Sequence, residues 1–457
     1  MASPTAPPRR RLVLNTHPAR LVALAFGVTV LLGTALLALP AARAGEESPS
    51  LLTALFTATS AVCVTGLAVV DTGTYWSGFG EGVILVLVQA GGFGIMTLAS
   101  LLGLLIAGKL RLRMALVTQA EAKVGIGDVR MVLLSVGAIT VVAESVTAAI
   151  LTLRFRLGYD MTFGRALYEG VFHAVAAFNN AGFGLRPDNL VPYADDPWIL
   201  LPVAGAVILG GLGFPVVIEL LRHRARRRAT GLRGWSLHLK LTLLLSAVLL
   251  AAGTLLTLAL EWGNPGTLGP LGADDKLLGS FFHSAMSRTA GFNATDVAAL
   301  EPATLLATCV LMFIGGGSAG TAGGIKVTTF AVLGAAILAE VRGEPSAEAF
   351  RRRLPPQVLR QALTIALLGV GLVIAATILL LTLVDAPAEA VLFEAVSAFG
   401  TVGLTAGLTA ELSGPAQLIL VVLMFIGRLG PITLASALAL RERTRRYQHP
   451  EERPIIG

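Results

Sequence analysis

Four short stretches, each ending in a glycine followed by a large apolar residue, recur along this chain at a nearly constant interval. Their glycines are Gly66, Gly182, Gly291 and Gly403, which lie 116, 109 and 112 residues apart. Repetition at a fixed interval indicates internal repeats. The residues that lead to and include these glycines are Cys63, Val64, Thr65 and Gly66; Asn179, Asn180, Ala181 and Gly182; Arg288, Thr289, Ala290 and Gly291; and Gly400, Thr401, Val402 and Gly403.

Each stretch offers the oxygen atoms of consecutive backbone carbonyl groups. A cation that leaves water to cross a bilayer needs replacement oxygen ligands, and a ring of backbone carbonyls supplies them. Glycine suits such a ring because directing consecutive carbonyls to one side requires dihedral angles that a side chain resists. Glycine also serves close helix packing in membranes, but four copies, each after a half-length apolar segment, favour one shared ring. We therefore predict that these residues form a selectivity filter.

A second glycine-rich segment, Gly315 to Gly324, interrupts the apolar run that follows the third stretch. A regular helix there would be unfavourable by up to about 1 kcal/mol for each glycine. We predict a broken segment that lies beneath the filter and occludes the pathway; the alternative is a packing kink without a gating role. The predicted gate comprises Gly315, Gly316, Gly317, Ser318, Gly320, Thr321, Gly323, Gly324, Lys326 and Arg428.

Arg428 belongs to this predicted gate because it stands in the apolar run that follows the fourth stretch. A charge at membrane depth is costly unless it faces water or a partner. Facing the pathway, Arg428 would repel cations below the filter; otherwise it would form an ion pair, with Glu144 or Glu219 as the partner. Lys326 also has two interpretations. It either takes part in gating or stands at a helix end from which its amine reaches the membrane surface.

The composition predicts a polytopic membrane protein. Of the 457 residues, 54% are hydrophobic and only 14% are charged, and the mean hydropathy is +0.76, whereas soluble domains carry about 25% charged residues. The net charge of +7 does not indicate a nucleic-acid partner, because Lys and Arg gather in alternate loops.

The apolar pattern around each stretch is a long helix, a short helix that leads to the stretch, and a second long helix. This predicts an all-α membrane protein with four pseudo-symmetric repeats at 21–108, 131–222, 237–340 and 361–440, flanked by an N-terminal arm (1–20) and a C-terminal tail (441–457). Eight spanning helices and four re-entrant pore helices would surround one central pore. The predicted spans are Leu21–Leu39, Gly82–Ala107, Met131–Leu153, Trp198–Leu221, Leu237–Leu260, Ala303–Leu338, Gln361–Val384 and Gln417–Leu440, and the predicted pore helices are Leu51–Ser60, Arg165–Phe178, Lys276–Ser287 and Ala388–Phe399.

The distribution of basic residues sets the orientation of these spans. Of the 35 Lys and Arg residues, 26 fall in the arm, the tail and three loops that this topology places on one side. Cytoplasmic loops carry the excess of basic residues. We therefore expect both termini in the cytoplasm, and all four stretches entering from outside the cell membrane.

Other reactive residue types have structural interpretations. His173 and His283 stand in pore helices without a second ligand at metal-binding spacing, so we expect both to pack there. Cys63 and Cys309, the only two cysteines, indicate neither a disulfide framework nor a zinc site. The sequence contains no nucleophile–base arrangement and no phosphate-binding loop, and we expect no enzyme activity.

Together these motifs resemble the Ktr/Trk/HKT superfamily of potassium-translocating membrane subunits, over nearly the whole chain. The resemblance rests on Thr59 to Leu67, Phe178 to Phe183, Ser287 to Phe292 and Phe399 to Leu404. Gly315 to Gly324 is similar to the intramembrane gating loop of that superfamily, and Arg428 to its arginine below the filter. Eight spans and the ending Pro450 to Gly457 resemble the Ktr-type subunit more than the longer Trk type.

The resemblance implies potassium uptake, with K⁺ as the transported ion and Na⁺ as a candidate activator. It also implies a homodimer with one pore per subunit, gated by a cytosolic RCK-type ring similar to KtrA, so that a nucleotide acts only through that partner. Glycine at all four filter positions resembles the potassium-selective pattern, although Cys63 stands where serine or a similar small residue is expected. The alternative function is a sodium-conducting or nonselective cation channel; a secondary transporter would show two large repeats rather than four.

Overall fold

Helices make up most of the computed structural model, which describes residues 18–94, 126–225 and 234–430. One two-stranded antiparallel hairpin, Glu348–Ala349 with Arg352–Arg353, departs from the all-α prediction. The helices are Pro18–Leu37, Leu51–Val62, Thr72–Tyr75, Gly78–Gly94, Ile126–Gly158, Phe163–Phe178, Pro197–Leu212, Phe214–Ala225, Leu237–Glu261, Ala273–Met286, Pro302–Phe313, Val327–Val341, Pro356–Leu381, Ala388–Gly400 and Gly414–Leu429. Single 3₁₀ turns occupy Pro40–Ala42, Val191–Tyr193, Val297–Ala299 and Thr409–Glu411.

Three helices within the described ranges are long and apolar enough to cross a membrane: Leu133–Gly158, Leu237–Glu261 and Pro356–Leu381. The pair Pro197–Leu212 and Phe214–His223 qualifies as a fourth only if its two parts are joined across a 97° bend. The long helices expose large apolar side chains such as Val142, Leu255 and Leu367, as expected where the solvent is lipid.

The predicted span Trp198–Leu221 is wrong as one straight helix. It breaks at Gly213, whose φ of 90° lies in the left-handed region that other residues avoid. Pro215 supports the break because it lacks the N–H group that a continuous helix would require. The break predicted within Ala303–Leu338 is present, since Pro302–Phe313 and Val327–Val341 are separate helices.

Several predictions concern residues outside the described ranges. These are most of the arm 1–20, the far end of Gly82–Ala107, most of the basic loop before Ile126, the end of Gln417–Leu440 and the tail 441–457.

Four short helices lie at the centre of the fold. They are Leu51–Val62, Phe163–Phe178, Ala273–Met286 and Ala388–Gly400, at the positions predicted for pore helices. Large apolar side chains such as Phe56, Phe282 and Phe393 are buried, whereas Leu51, Phe163 and Leu277, near the starts of these helices, are exposed. Ser50 fixes the start of the first, because its hydroxyl accepts a hydrogen bond from the Thr53 amide at 3.0 Å.

Candidate functional site

The four predicted filter stretches share one backbone conformation. In each, a residue with positive φ is followed two positions later by a glycine with positive φ. The first set is Val64 (56°), Asn180 (60°), Thr289 (87°) and Thr401 (49°), and the second is Gly66 (90°), Gly182 (66°), Gly291 (71°) and Gly403 (97°). We call residues 63–66, 179–182, 288–291 and 400–403 the ring segments. Their agreement supports the repeat that the sequence predicts.

The ring segments contact one another in a closed cycle. A Cβ atom added to Gly66 would lie within 3.0 Å of the Ala181 carbonyl oxygen in the second segment. The same relation joins the second segment to the third, the third to the fourth and the fourth back to the first; the contacts are Gly182 to Ala290, Gly291 to Val402 and Gly403 to Thr65. Glycine is therefore required at all four positions by space as well as by φ.

The amide groups of the ring segments are directed to their own short helices. Each segment donates its third amide to a carbonyl of the preceding helix, at 2.7 to 3.0 Å; the pairs are Thr65 to Ser60, Ala181 to Ala176, Ala290 to Met286 and Val402 to Ser397. The hydroxyls of Ser60 and Ser397 also accept the amides of Gly66 and Gly403, each at 3.1 Å.

The carbonyl groups of the same residues have no such partners. No hydrogen-bond donor within residues 18–94, 126–225 and 234–430 binds the carbonyl oxygens of Val64, Thr65, Asn180, Ala181, Thr289, Ala290, Thr401 and Val402. All eight residues are at most 1% exposed. Buried backbone carbonyls nearly always have a partner, so eight of them in one closed ring are suited to binding a cation.

The first residue of each segment lies behind the ring. Asn179 donates from its amide to Gln89 at 2.7 Å and to Glu144 at 3.1 Å. Arg288 donates to the Ser246 carbonyl at 3.0 Å. These two side chains tie their segments to surrounding helices.

The first residues of the other two ring segments, Gly400 and Cys63, lie at the ends of short helices. Gly400 is the last residue of its helix, and Cys63 caps the first short helix as a buried free thiol.

The two pore-helix histidines pack as predicted. The Nδ1 atom of His173 lies 2.8 Å from the Glu169 carbonyl oxygen, and its ring lies against Phe292. The Nε2 atom of His283 lies 3.0 Å from the Thr308 hydroxyl.

A cavity of about 660 Å³ opens on one side of the ring, and all four ring glycines line it. Its charged lining consists of three aspartates and one arginine, Asp71, Asp188, Asp296 and Arg186. Because acidic side chains predominate, this cavity, which we call the outer cavity, favours cations.

The predicted gate lies against the other side of the ring. Its irregular part, residues 314–326, folds back on itself through a pairing of Ile314 with Ile325. The Thr321 hydroxyl donates to the Asn180 side-chain oxygen at 2.7 Å, which joins the gate to the second ring segment. The Gly317 amide donates to the Gly211 carbonyl at 2.7 Å, beside the break in the second unit. We call residues 314–326 the gate segment.

Arg428 binds the gate segment rather than an acid. Its guanidinium donates to the Thr321 carbonyl and, at 3.2 Å, to the Gly91 carbonyl. The alternative of an ion pair with Glu144 or Glu219 is wrong, because neither glutamate contacts the guanidinium in the described chain. Glu144 instead accepts from Asn179, and Glu219 accepts from Ser236 at 2.8 Å.

Lys326 stays within the gate segment, where its amine donates to the Ala322 carbonyl. Its side chain is therefore used inside the protein and does not extend to the membrane surface.

Sequence reasoning missed Gln89, Glu144 and Ser246 as anchors of the ring. A signal was present for Glu144, because an acidic residue inside an apolar helix is expensive and usually has a partner in the protein interior. Ser246 carries no such signal, since serine is common in membrane helices.

The structure combines a ring of carbonyls inside a bundle of apolar helices, an acidic cavity on one side of the ring, and a basic residue against a broken helix on the other side. Together these features define a cation-transporting membrane protein. The sequence pattern of the TrkH family, described as "Cation transport protein", matches residues 18–445. The chain belongs to this family, which is one of multi-pass membrane transporters and not of enzymes.

Particular relatives agree over nearly the full chain. The Ktr system potassium uptake protein B of Bacillus subtilis is 40% identical over 441 residues, 96% of this chain and 97% of that protein. The potassium/sodium uptake protein NtpJ of Enterococcus hirae is 33% identical, over 98% of this chain and 99% of that protein. The crystal structure of the potassium transporter TrkH from Vibrio parahaemolyticus has the same fold, with a TM-score of 0.74, 18% identity, and 94% and 87% of the two chains covered.

Proposed function

We propose that this protein takes up potassium ions through the ring, as a channel-like subunit of the Ktr type. The single observation that carries the proposal is the closed set of eight buried carbonyl oxygens without a donor in the described chain. The names of the full-length relatives support potassium as the ion.

The ring would act by replacing the hydration shell of the ion. Carbonyl oxygens from the four segments at one level can surround a cation, and a second level below can receive it next. The hydrogen bonds from the amides to the short helices hold the segments in place. The C-terminal ends of these helices add partial negative charge, which favours a cation.

The gate segment would close the pathway beneath the ring. Thr321 joins it to a ring segment, and Arg428 joins it to the helix Gly78–Gly94. Opening requires these bonds to break, and the guanidinium charge also repels a cation that arrives from the ring. Arg428 would therefore keep the pathway closed both as a latch, through its hydrogen bonds, and as an electrostatic barrier, through its charge.

We also propose the topology of the chain around the pore and its partner subunits. Eight spans, four re-entrant helices and the repeats 21–108, 131–222, 237–340 and 361–440 fit the four equal ring segments. Cytoplasmic termini follow from the basic loops. A homodimer regulated by a cytosolic RCK-type nucleotide-binding ring, with Na⁺ as an activator, is the expected arrangement for a relative of Ktr system proteins.

Potassium uptake can be tested in cells that lack their own potassium uptake systems. We expect the wild-type chain, expressed together with a cytosolic Ktr partner, to restore growth at limiting potassium, because the ring would select K⁺. Uptake of ⁸⁶Rb⁺ should saturate and be inhibited by added K⁺ much more than by equal Na⁺.

Cells with the empty vector and cells with the partner alone are the controls. Growth that the full pair does not restore would contradict the proposed function. Equal competition by Na⁺ and K⁺ would instead support the sodium-conducting or nonselective alternative, which the names of the Ktr system relatives do not favour.

A further inference from the structure

The outermost level of the ring is not equivalent in the four units. The carbonyl of Gly182 accepts a hydrogen bond from the side-chain amide of Asn189 at 3.2 Å. No donor in the described parts of the chain binds the carbonyls of Gly66, Gly291 and Gly403. All four ring glycines line the outer cavity, and the carbonyl oxygen of one of them is thus already engaged by the protein.

The sequence repeat shows that this donor is peculiar to the second unit. Asn189 stands seven residues after its ring glycine, and the matching positions after the other three are Gly73, Ala298 and Ala410. None of these side chains can donate a hydrogen bond. Asn189, Ala298 and Ala410 all line the outer cavity, so the difference lies at the entrance to the ring.

The backbone around Asn189 is held without the side chain. Its amide donates to the Arg186 carbonyl at 3.1 Å, and the next amide, of Leu190, donates to the Asn293 carbonyl at 3.0 Å. The φ of Asn189 is 54°, a left-handed conformation that asparagine, aspartate and glycine tolerate. The side chain can therefore be changed to aspartate or glycine with the loop in place.

We infer that Asn189 is a positioning residue that lowers the affinity of the outermost ion site by engaging the Gly182 carbonyl. This rests on the proposed function. A carbonyl that already accepts an N–H group offers less of its negative charge to a cation, and its direction is fixed by the bond. An arriving ion then meets three unengaged oxygens instead of four, which keeps entry weak enough for the ion to move on.

Asn189→Gly and Asn189→Asp test this inference. Both new residues tolerate the left-handed φ at this position, and neither side chain donates a hydrogen bond. The wild-type chain and each variant, with the cytosolic partner, are compared by the K⁺ dependence of ⁸⁶Rb⁺ uptake. We expect the half-saturating K⁺ concentration to fall by roughly fivefold in Asn189→Gly, the worth of one ordinary hydrogen bond, with maximal uptake unchanged. Asn189→Asp should lower it at least as much, because it also adds a negative charge.

Asn293→Ala is the matched control, since Asn293 also lines the outer cavity but donates to the Thr295 carbonyl instead of a ring carbonyl. It should leave the half-saturating concentration unchanged. Damage to the loop would reduce maximal uptake. A lower half-saturating K⁺ concentration with unchanged maximal uptake is therefore not caused by such damage.

An unchanged or higher half-saturating concentration in Asn189→Gly would overturn the inference. A fall confined to Asn189→Asp would also overturn it, because charge and not the lost donor would then be the cause. Either result with saturable wild-type uptake leaves the proposed function standing. Wild-type protein without saturable uptake would contradict both.

Discussion

Replacing Gly291 by serine is expected to reduce potassium uptake at least tenfold and to weaken the preference for K⁺ over Na⁺. The φ of Gly291 is 71°, where a residue with a side chain is disfavoured by about 1–2 kcal/mol. Its new Cβ would also overlap the Val402 carbonyl oxygen in the neighbouring ring segment. The two segments would have to separate, and at about 1.4 kcal/mol for each factor of ten, these two effects together account for the loss.

Gly334→Ser is the control for this prediction. Gly334 lies in the helix Val327–Val341, and no atom lies within 4 Å of the position of an added Cβ. Uptake by this variant should match the wild type, measured as ⁸⁶Rb⁺ uptake at equal amounts of membrane-inserted protein. Wild-type uptake and selectivity in Gly291→Ser would show that the ring is not the ion pathway.

Replacing Arg428 by glutamine is expected to increase ion flux in the absence of the cytosolic partner. Arg428 is 4% exposed, and its guanidinium bonds both the gate segment and the helix Gly78–Gly94. Hydrogen bonds to charged groups contribute about 1.5–3 kcal/mol, so their loss should shift the gate toward the open form by roughly tenfold or more. Rubidium flux into liposomes that contain the purified protein alone measures this shift.

Two further variants make the result specific to Arg428. Arg428→Lys keeps the charge but lacks the planar fork of donors that reaches two carbonyls, so it should also leak if the latch is the main effect. Arg360→Gln removes an exposed charge near the start of Pro356–Leu381 and should behave as the wild type. Lower flux in Arg428→Gln, at unchanged thermal stability, would contradict a gating role.

The ring could be predicted from sequence because its backbone conformation requires a particular residue type, glycine. A positive φ beside a close backbone neighbour admits glycine and little else, so Gly66, Gly182, Gly291 and Gly403 stand out at a constant interval. The short helices before them were predictable from their length. The order of contact around the ring follows from the repeat, whereas the oxygen atom that each glycine faces is defined only by the folded structure.

The anchors behind the ring could not be predicted in the same way. Asn179 and Arg288 are predicted filter residues, but they lie behind the ring, where their side chains bind Gln89, Glu144 and Ser246. These partners are up to 90 residues distant in sequence. Their pairing depends on how helices pack, and helix periodicity does not specify which faces meet.

The break at Gly213 was missed for a related reason. Hydropathy averages over a window, so one residue of unusual φ does not interrupt an apolar run. The third unit holds the bend, since the Phe214 amide donates to the Ala319 carbonyl of the gate segment at 3.3 Å, and an added Cβ at Gly213 would overlap the Ser318 carbonyl. The glycine-rich break in the third unit was visible because six glycines in ten residues lower helix propensity over a whole window.

The central claim, that the eight carbonyls bind the transported ion, is tested most directly by locating rubidium in the protein. Crystals grown in RbCl and measured at the rubidium absorption edge should show anomalous peaks on the axis of the ring. The peaks should lie between the carbonyls of Val64, Asn180, Thr289 and Thr401 or those of the residues that follow, and they should vanish when Na⁺ replaces Rb⁺. Ordered rubidium elsewhere, with none in the ring, would contradict the account.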